Sequence, residues 1–313
     1  MKHGGTAAKH VLITGATGQQ GGALAILLLK QGYRVRALTR NAGSPRAHVL
    51  SEHGAEMYTG NAEDRASLEK AAAGIDAMFA MATPFEGGVE AETRQGINIV
   101  TAAAAAGVRH VIYSSVAGAD QNTGIPHFES KFRVEQHLRT LGVPFTIIAP
   151  VYFMENLIAP WNIGALASGV YPMALPAGRK LQQIAVADVA GFAAEVIAKP
   201  EEFTTQRIDI ASDERTGAEA AAVLGRASGR EMKYLEVSLE QIRATNDDLA
   251  LMFDWITRVG YHADIAGLRA RYPKVGWQSL EAWATAQDWN RLFGKTASVP
   301  VKRSEGVDKS AGR

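Results

Sequence analysis

A histidine and a lysine lie one helical turn apart in the segment GIPHFESKFRVEQHL. In a helix, His127, Lys131, Val134 and Leu138 share one stripe of the surface, since residues three, four and seven apart lie on the same face. An ammonium group on an otherwise apolar stripe indicates a cleft; the alternative is a side chain with a buried stem and a solvated charge. An imidazole can donate or accept a proton near neutral pH. The pair therefore predicts a cofactor cleft in which a proton can be moved.

A glycine-rich turn, TGATGQQGG, follows the first predicted strand and opens the first predicted helix. Its glycines permit a tight turn, close approach of the backbone to a pyrophosphate, and close packing of the helix on the strand. The helix N-terminus supplies free N–H groups and the positive end of the helix dipole. This order of strand, turn and helix is the context that a dinucleotide fingerprint requires. We assign to this nucleotide-binding loop Gly15, Ala16, Thr17, Gly18, Gln19, Gln20 and Gly21.

The residue at the end of the second predicted strand favours NADP(H) over NAD(H). Sites that prefer NAD place a carboxylate at this position for the ribose hydroxyls. The segment LTRN has Arg40 there instead, and the next carboxylate is Glu52. A guanidinium can hold a 2′-phosphate through paired, charge-assisted hydrogen bonds. The alternative is a solvated surface arginine.

Small and polar residues end the later predicted strands, at the edge where a cofactor would lie. Asn61 follows the third strand and could hydrogen-bond an adenine edge, whereas Asp64 is better explained as a helix cap. Ser114 and Ser115 end the fifth strand, where they could orient a substrate oxygen or simply terminate the strand. From these strand ends we assign to the cofactor site Asn61, Ala62, Ala82, Thr83, Pro84 and Ser114.

The first half of the sequence alternates strand-like and helix-like segments. Apolar, β-branched runs predict strands at 10–14, 33–39, 55–59, 76–82, 108–115 and 144–150. Amphipathic segments predict helices at 19–31, 44–53, 65–74, 88–106 and 124–138. On the last helix, Glu129, Arg133 and Glu135 are expected on the outer face. The alternation predicts an α/β fold with a Rossmann-like, doubly wound parallel sheet, and a nucleotide-binding domain over residues 10–150.

The alternation stops after Pro150. Residues 151–292 are expected to form a smaller C-terminal α/β lobe that closes over the carboxyl edge of the sheet and contacts a substrate or a partner. The segment predicts one strand near 206–211 and helices at 188–198, 216–227, 238–256 and 279–290. In the segment DDLALMFDWI, apolar residues recur at helical spacing, which predicts that they pack in the core of the lobe. The alternative is that they line a hydrophobic pocket. Residues 1–9 and 293–313 lack apolar periodicity and are expected to be disordered.

Composition limits the function classes. The 313 residues carry a net charge of +1, so no basic field favours a nucleic-acid partner. The chain has no cysteine, which excludes disulfides and thiolate chemistry and fits a reducing cytoplasm. The longest apolar run, at 23–29, is far below the roughly 20 residues that a membrane span needs. The histidines show no metal-ligand spacing. We expect a soluble, cytoplasmic protein with a small-molecule ligand, no metal and no membrane partner; the oligomeric state stays open.

From residue 10 to about 190 the sequence resembles the NmrA-like atypical short-chain dehydrogenases, particularly the HSCARG-type NADPH-sensor branch. The matching segments are ITGATGQQGG, RALTRN, GNAEDRASL, HFESKFRVEQHLRTLGVPFTIIAPVYFMENL and IAVADVA, of which the long one is specific. The resemblance implies a Rossmann-like fold, a small C-terminal domain and NADP(H) in the cleft. It also implies cofactor contacts at residues 15–20, Arg40, Asn61, Thr83, Lys131 and, in the YFMEN loop, Tyr152, Phe153 and Asn156.

The usual tyrosine of short-chain dehydrogenases is missing. Typical members pair the lysine with a tyrosine one turn earlier, where the ammonium lowers the tyrosine pKa. Here His127 stands at that position, and Tyr152 and Tyr113 are the alternative phenols. A histidine that only lines the start of the helix is an equally open interpretation.

The resemblance implies two functions. Some members of the family look like NADPH-dependent reductases of quinones or other carbonyl compounds, and others bind the dinucleotide and report its redox state to a protein partner. We expect an NADPH-dependent oxidoreductase acting on an apolar carbonyl compound, enone or quinone, with Lys131, His127 and Tyr152 as its catalytic residues. The alternative is a non-catalytic redox sensor with a regulatory protein partner.

Overall fold

The computed structural model describes residues 9–294. The segments 1–8 and 295–313, which the sequence predicts to be disordered, lie outside the described residues. At their edges, Phe293 is buried at the end of a helix, and Lys9 Nζ donates a hydrogen bond of 3.0 Å to a backbone carbonyl. The sequence predicts disorder for residues 1–9 and 293–313, but Lys9 and Phe293 make defined contacts. Disorder therefore stays a prediction only for residues 1–8 and 295–313.

The first half of the chain alternates strands and helices as its sequence predicts. In chain order its elements are β1 (His10–Ile13), α1 (Gln19–Lys30), β2 (Arg34–Thr39), α2 (Pro45–Glu52), β3 (Glu56–Thr59), α3 (Arg65–Ala72), β4 (Ala77–Ala80), α4 (Gly88–Ala105), β5 (His110–Ser114), α5 (Pro126–Thr140) and β6 (Phe145–Pro150). Each expected element is present, and only the ends differ by a few residues. The Asp64 carboxylate accepts a hydrogen bond from the Ser67 N–H at 3.2 Å, so the predicted cap of α3 is confirmed.

The second half consists of shorter elements. They are β7 (Tyr152–Phe153), α6 (Ile163–Ala167), β8 (Val170–Met173), β9 (Lys180–Ile184), α7 (Val186–Ala198), α8 (Pro200–Phe203), β10 (Arg207–Ile210), β11 (Asp213–Thr216), α9 (Gly217–Ser228), β12 (Lys233–Glu236), α10 (Leu239–Arg243), α11 (Asp247–Arg258), α12 (Ile265–Arg271), α13 (Leu280–Thr285) and α14 (Trp289–Gly294). The helix expected at 238–256 is two helices, because the side chains of Ser238 and Asn246 each cap a separate helix start.

Seven strands form a parallel central sheet in the order β10-β6-β5-β4-β1-β2-β3. Val11 of β1 lies opposite Val35 on one side and Ala77 of β4 on the other. The strand order therefore reverses at β1, which makes the sheet doubly wound. In such sheets ligands bind in the crevice outside the carboxyl ends of the strands at this switch point. The predicted α/β fold class is confirmed.

One strand lies in a different place from the one that the sequence predicts. The segment QRIDIA is expected in the lobe, but its strand β10 pairs in parallel with β6, with Ile208 opposite Ile148. The helix α7 likewise packs on α1. The chain after residue 150 therefore completes the central sheet as well as forming a lobe. The lobe contains two small sheets, β11-β9-β7 and β12-β8, whose strands are too short and too polar to show an alternating pattern in the sequence.

Apolar side chains cover both faces of the central sheet. Successive strand residues point to opposite faces, so Val11 and Ile13 pack towards α1 and α7, and that core continues to Trp255 in the lobe. Leu12 and Met78 pack in a second core under α3, α4 and α5. Each such large side chain contributes about 1.5–3 kcal/mol when it is fully buried. The two cores fix the strand ends that form the cleft.

Gly96 of α4 faces Val134 of α5, and a Cβ at Gly96 would lie 2.5 Å from Val134 Cγ2. We expect Gly96→Ala to lower the free energy of unfolding by about 1–3 kcal/mol, because the methyl group would enter a packed contact. The matched control is Gly164→Ala in α6, where a Cβ would meet no atom within 4 Å. Urea unfolding measures both variants. Equal stability would show that the two helices do not approach this closely.

Candidate active site

The glycine loop is held tightly against the end of β4. Gly15 has φ +62, and a Cβ at Gly21 would lie 2.4 Å from the Gly15 carbonyl oxygen, so the turn accepts no side chain there. The Thr14 hydroxyl donates to the Met81 carbonyl at 3.0 Å and accepts from the Met81 N–H at 2.8 Å. The loop, with Ala16 buried beneath it, is therefore a preformed cradle at the switch point of the sheet.

The start of α1 fits a phosphate group. No side chain caps this helix and no acidic residue lies in its first turn, whereas α2 and α3 are capped by Ser44 and Asp64. Its N–H groups are therefore available to an anion, and the helix dipole favours one. Gln20 in this first turn accepts a hydrogen bond of 2.7 Å from the Ser114 hydroxyl at the end of β5. The structure thus joins two predicted cofactor residues, Gln20 and Ser114.

Two arginines follow β2 in the chain, and one of them contacts the glycine loop. Arg40 makes two hydrogen bonds to the Glu86 carboxylate, of 2.6 and 2.8 Å, and both side chains are exposed. These hydrogen bonds hold the pKa of Glu86 below its usual value. Arg46, in the first turn of α2, donates to the Thr17 carbonyl at 3.0 Å. Arg46 and Glu86 are not among the site residues expected from the sequence; the order Ser-Pro-Arg at a capped helix start, shortly after Arg40, could have indicated Arg46.

The loop after β3 is closed by its own hydrogen bonds. The Asn61 side-chain carbonyl accepts from the Glu63 N–H at 3.0 Å, and the Ala62 carbonyl accepts from Asn98 at 3.0 Å. The Asn61 amide nitrogen has no partner within residues 9–294, so it remains free to donate. A role for Asn61 and Ala62 in adenine binding stays a prediction.

Lys131 forms an ion pair with a buried carboxylate. Its Nζ lies 2.8 Å from Oε1 of Glu92, which has no exposed surface, and donates to the Ala82 carbonyl at 3.1 Å. The ion pair is close but is not aligned as a hydrogen bond, and the other carboxylate oxygen accepts from the Ser130 hydroxyl. The lysine is therefore held just after β4, at Ala82, which precedes Thr83, and its side chain is mostly buried.

Glu92 could have been found from the sequence. Glu92, Gly96, Ile99 and Ala103 lie on one stripe of α4, and all but Glu92 are small or apolar. A charge on an inward stripe is the same signal that indicates Lys131. Glu135 is the opposite case: it is expected on the outer face of α5 but is fully buried, where it accepts hydrogen bonds from Ser115 and Arg207.

His127 is paired with a carboxylate of the lobe. Its Nδ1 lies 2.6 Å from Oδ1 of Asp248 in the first turn of α11. Its Nε2 has no hydrogen-bond partner between residues 9 and 294 and is not enclosed. The neighbouring Phe128 packs edge-on against Trp255 with ring centroids 5.7 Å apart. In this segment Met252, Phe253 and Ile256 are buried, as the predicted lobe core requires, whereas Leu249 is exposed.

The tyrosines are less suitable as proton donors. Tyr113 has no exposed surface and lies in the core under α4 and α5, so its prediction as a donor is wrong. Burial raises the pKa of Tyr152 to about 12, although a hydrogen bond with Asn156 opposes the shift. In the described residues no contact joins Tyr152, Phe153 or Asn156 to Lys131 or to the glycine loop; Tyr152 instead lies 6.5 Å from the Phe253 ring. Their assigned roles stay predictions.

Two aromatic side chains are exposed, one after β4 of the central sheet and one between β7 of the lobe and α6. Phe85 is 88% exposed and follows Pro84 in the loop after β4, and Trp161 is 72% exposed in the segment before α6. Within residues 9–294 no three or more His, Asp and Glu side chains are grouped to hold a metal ion. None of the described helices combines the length and apolar character needed to cross a membrane.

The sequence profile of the NmrA-like family matches residues 7–284. The chain belongs to the NmrA-like family. An NAD(P)H azoreductase of Xenophilus azovorans is 28% identical to this NmrA-like protein over 233 residues, 74% of this chain and 79% of the relative. The NADPH-dependent quinone oxidoreductase of Escherichia coli, solved with NADPH, is 25% identical with a TM-score of 0.73 and covers 88% of this chain and 98% of that one.

NmrA itself has the same fold. Its structure in complex with NADP, described as that of a negative transcriptional regulator, is 19% identical with a TM-score of 0.74 and covers 91% of this chain and 100% of that one. At this identity the likeness shows the fold alone. Proteins with enzymatic and with regulatory descriptions therefore share the fold of this NmrA-like protein.

The buried ion pair predicts an unusual dependence of stability on Lys131. We expect Lys131→Met to lower the free energy of unfolding by about 3–5 kcal/mol, because the Glu92 carboxylate would stay buried without a cation. Adding Glu92→Gln should recover most of the loss, since neither charge remains. Arg133→Met is the control, because its ion pair with Glu90 is exposed and worth less than about 1 kcal/mol. Chemical denaturation measures the free energy of unfolding of each variant. Similar stability of Lys131→Met and Arg133→Met would contradict the pairing.

Proposed function

We propose that this NmrA-like protein is an NADPH-dependent oxidoreductase that reduces a quinone, an enone or another apolar carbonyl compound. The observation that carries the proposal is Lys131, whose ammonium is held by Glu92 and the Ala82 carbonyl at the end of β4, beside the glycine loop. A cation fixed there is suited to hold the ribose of a dinucleotide. The azoreductase and the quinone oxidoreductase among its relatives support reductase chemistry.

The residues present fit NADP(H). The uncapped start of α1 offers N–H groups to the diphosphate, and the tight contact between Gly15 and Gly21 lets the cofactor approach the backbone. Arg40 and Arg46 offer two guanidinium groups to a 2′-phosphate, which such groups bind in paired fashion. When bound, the reduced cofactor supplies a hydride. The chain's own residues bind and orient the reactants.

The exposed aromatic side chains favour an apolar, flat substrate. Phe85 and Trp161 present exposed rings after the ends of β4 and β7, and such rings favour stacked contacts with planar groups. The cytoplasmic location expected from the absence of cysteine is part of this proposal.

A redox sensor of the HSCARG type is the second candidate. The observation that favours it is the exposed ion pair between Arg40 and Glu86, which a 2′-phosphate would have to replace. Glu86 adjoins the exposed Phe85, so binding of the dinucleotide would change a surface that a protein partner could contact. Under this alternative the protein binds NADP(H) tightly and turns over no acceptor.

Cofactor selectivity tests the assignment of Arg40. We expect Arg40→Ala to weaken NADPH binding by roughly tenfold or more, the range of a charged hydrogen-bond pair, and to leave NADH binding nearly unchanged. Glu86→Gln should tighten NADPH binding several-fold, because the 2′-phosphate no longer competes with a carboxylate. Glu90→Gln, an exposed carboxylate of the same region paired with Arg133, is the control. Fluorescence titration measures each affinity. Equal losses for NADPH and NADH in Arg40→Ala would contradict the assignment.

Turnover separates the two candidate functions. We expect NADPH oxidation with at least one quinone, enone or azo acceptor, and we expect the Lys131→Met/Glu92→Gln variant to lose roughly 100-fold or more in kcat/KM while it stays folded. The decrease in NADPH absorbance measures both the oxidation of NADPH and the kcat/KM of the variant. Tight NADPH binding without turnover across the whole panel would refute the oxidoreductase and favour the sensor.

A further inference from the structure

The contact between His127 and Asp248 joins two elements that are far apart in the chain. His127 lies in the first turn of α5 and Asp248 in the first turn of α11, and the two atoms are 2.6 Å apart. An ionised carboxylate can only accept hydrogen bonds, so Nδ1 of the imidazole carries the proton in this contact. The free ring nitrogen, Nε2, has no partner among the described residues and is not enclosed. The imidazole is therefore held at one nitrogen and open at the other.

The helix that supplies Asp248 is fixed in place by packing. Trp255, two turns further along α11, packs edge-on against Phe128 with a centroid distance of 5.7 Å. A Cβ at Gly118 would lie 2.8 Å from the same tryptophan ring. Asn246, and not Asp248, caps the helix start, with a hydrogen bond of 3.0 Å from Leu249. Asp248 does not cap the helix, although a carboxylate in the first turn also suits the helix dipole. Among the described residues its hydrogen-bond partner is the imidazole.

We propose that Asp248 is the positioning residue of a dyad in which His127 donates the proton to the substrate oxygen. The inference rests on the proposed reductase function. It names the residue that donates the proton in place of the missing tyrosine. The carboxylate fixes the ring orientation and stabilises the charged imidazolium, and Nε2–H, which has no partner among the described residues, is left to donate to the substrate.

The step balances without any further reagent. A reduced cofactor bound here would supply a hydride, which carries both electrons, so a C–H bond would form at the substrate carbon while the carbonyl π electron pair moves to the oxygen. The oxygen takes the proton from Nε2, whose N–H bond breaks and leaves its electron pair on the ring. His127 then keeps the Nδ1–H that bonds to Asp248 and regains a proton from water, which can reach Nε2.

The other candidate donors fit less well. The Lys131 ammonium is engaged by Glu92 and by the Ala82 carbonyl. Tyr113 is fully buried in the core on the side of α4 and α5. Tyr152 has its described contacts in the lobe, and burial raises its pKa to about 12. Among these side chains His127 alone combines a fixed ring with an open nitrogen, one helical turn before the lysine.

Kinetics of four variants test the dyad. With an acceptor found active for the wild type, we expect His127→Ala to lower kcat roughly 100-fold, the range of general acid catalysis, and added imidazole to restore part of it. Asp248→Asn should lower kcat roughly tenfold with little change in KM or in the NADPH dissociation constant. Asp248→Glu should recover part of that loss. Asp247→Asn, an exposed neighbour paired with Arg243, should behave as the wild type.

A spectroscopic readout tests positioning without turnover. In ¹⁵N-labelled protein, the imidazole signal that disappears in His127→Ala should show a proton on Nδ1 in the wild type, and this proton should be lost or should exchange faster in Asp248→Asn. A purely structural contact would instead lower the stability of Asp248→Asn and leave kcat unchanged.

The outcomes separate the dyad from the function on which it rests. Turnover that survives in His127→Ala, but is lost in Lys131→Met/Glu92→Gln, would overturn the dyad and keep the oxidoreductase. An imidazole protonated at Nε2 only would also overturn the dyad. A wild type without turnover on any acceptor would overturn both.

Discussion

The ion pair between Glu92 and Lys131 is the interaction on which the site depends. A carboxylate without exposed surface is strongly destabilising unless a cation and hydrogen bonds compensate it; here the Lys131 ammonium and the Ser130 hydroxyl do so. The pair requires α4 and α5 to approach closely, which Gly96 permits because it has no side chain. The same ammonium bonds the Ala82 carbonyl. The Lys131 ammonium thus holds α5 against α4 and also fixes the end of β4, which lies next to the glycine loop.

Short-range patterns made the fold and part of the site predictable. The apolar run of β1 and the glycine turn after it are complete within a few residues, and the stripe that contains Lys131 is visible over a few turns. Asp64 acts as a cap through atoms three residues away. Such features need no knowledge of the rest of the chain, because the backbone geometry of a helix or strand determines which residues share a face.

The partners of these residues could not be predicted from such patterns. A stripe shows which face a charge occupies but not which side chain meets it, so Glu92 and Asp248 required the packed structure. The error over Glu135 has the same origin: a carboxylate was expected in solvent because nothing nearby in sequence compensates it, whereas Arg207 does so from β10. Tyr113 ends up in the core because β5 is a central strand with both faces covered.

The helix α5 connects these interactions. His127, Lys131 and Glu135 follow one another at intervals of four residues, and each meets an oppositely charged group or a carboxylate from a different element: Asp248 of α11, Glu92 of α4 and Arg207 of β10. The second and third contacts are buried, and burial raises the pKa of Glu135 although Arg207 opposes the shift. These two contacts fix α5 against the sheet. The first turn alone takes its partner from the lobe and is partly open. A movement of the lobe would therefore change the surroundings of His127 and leave Lys131 in place. In the proposed dyad, such a movement would act on the proton donor and leave the contacts proposed to bind the cofactor unchanged.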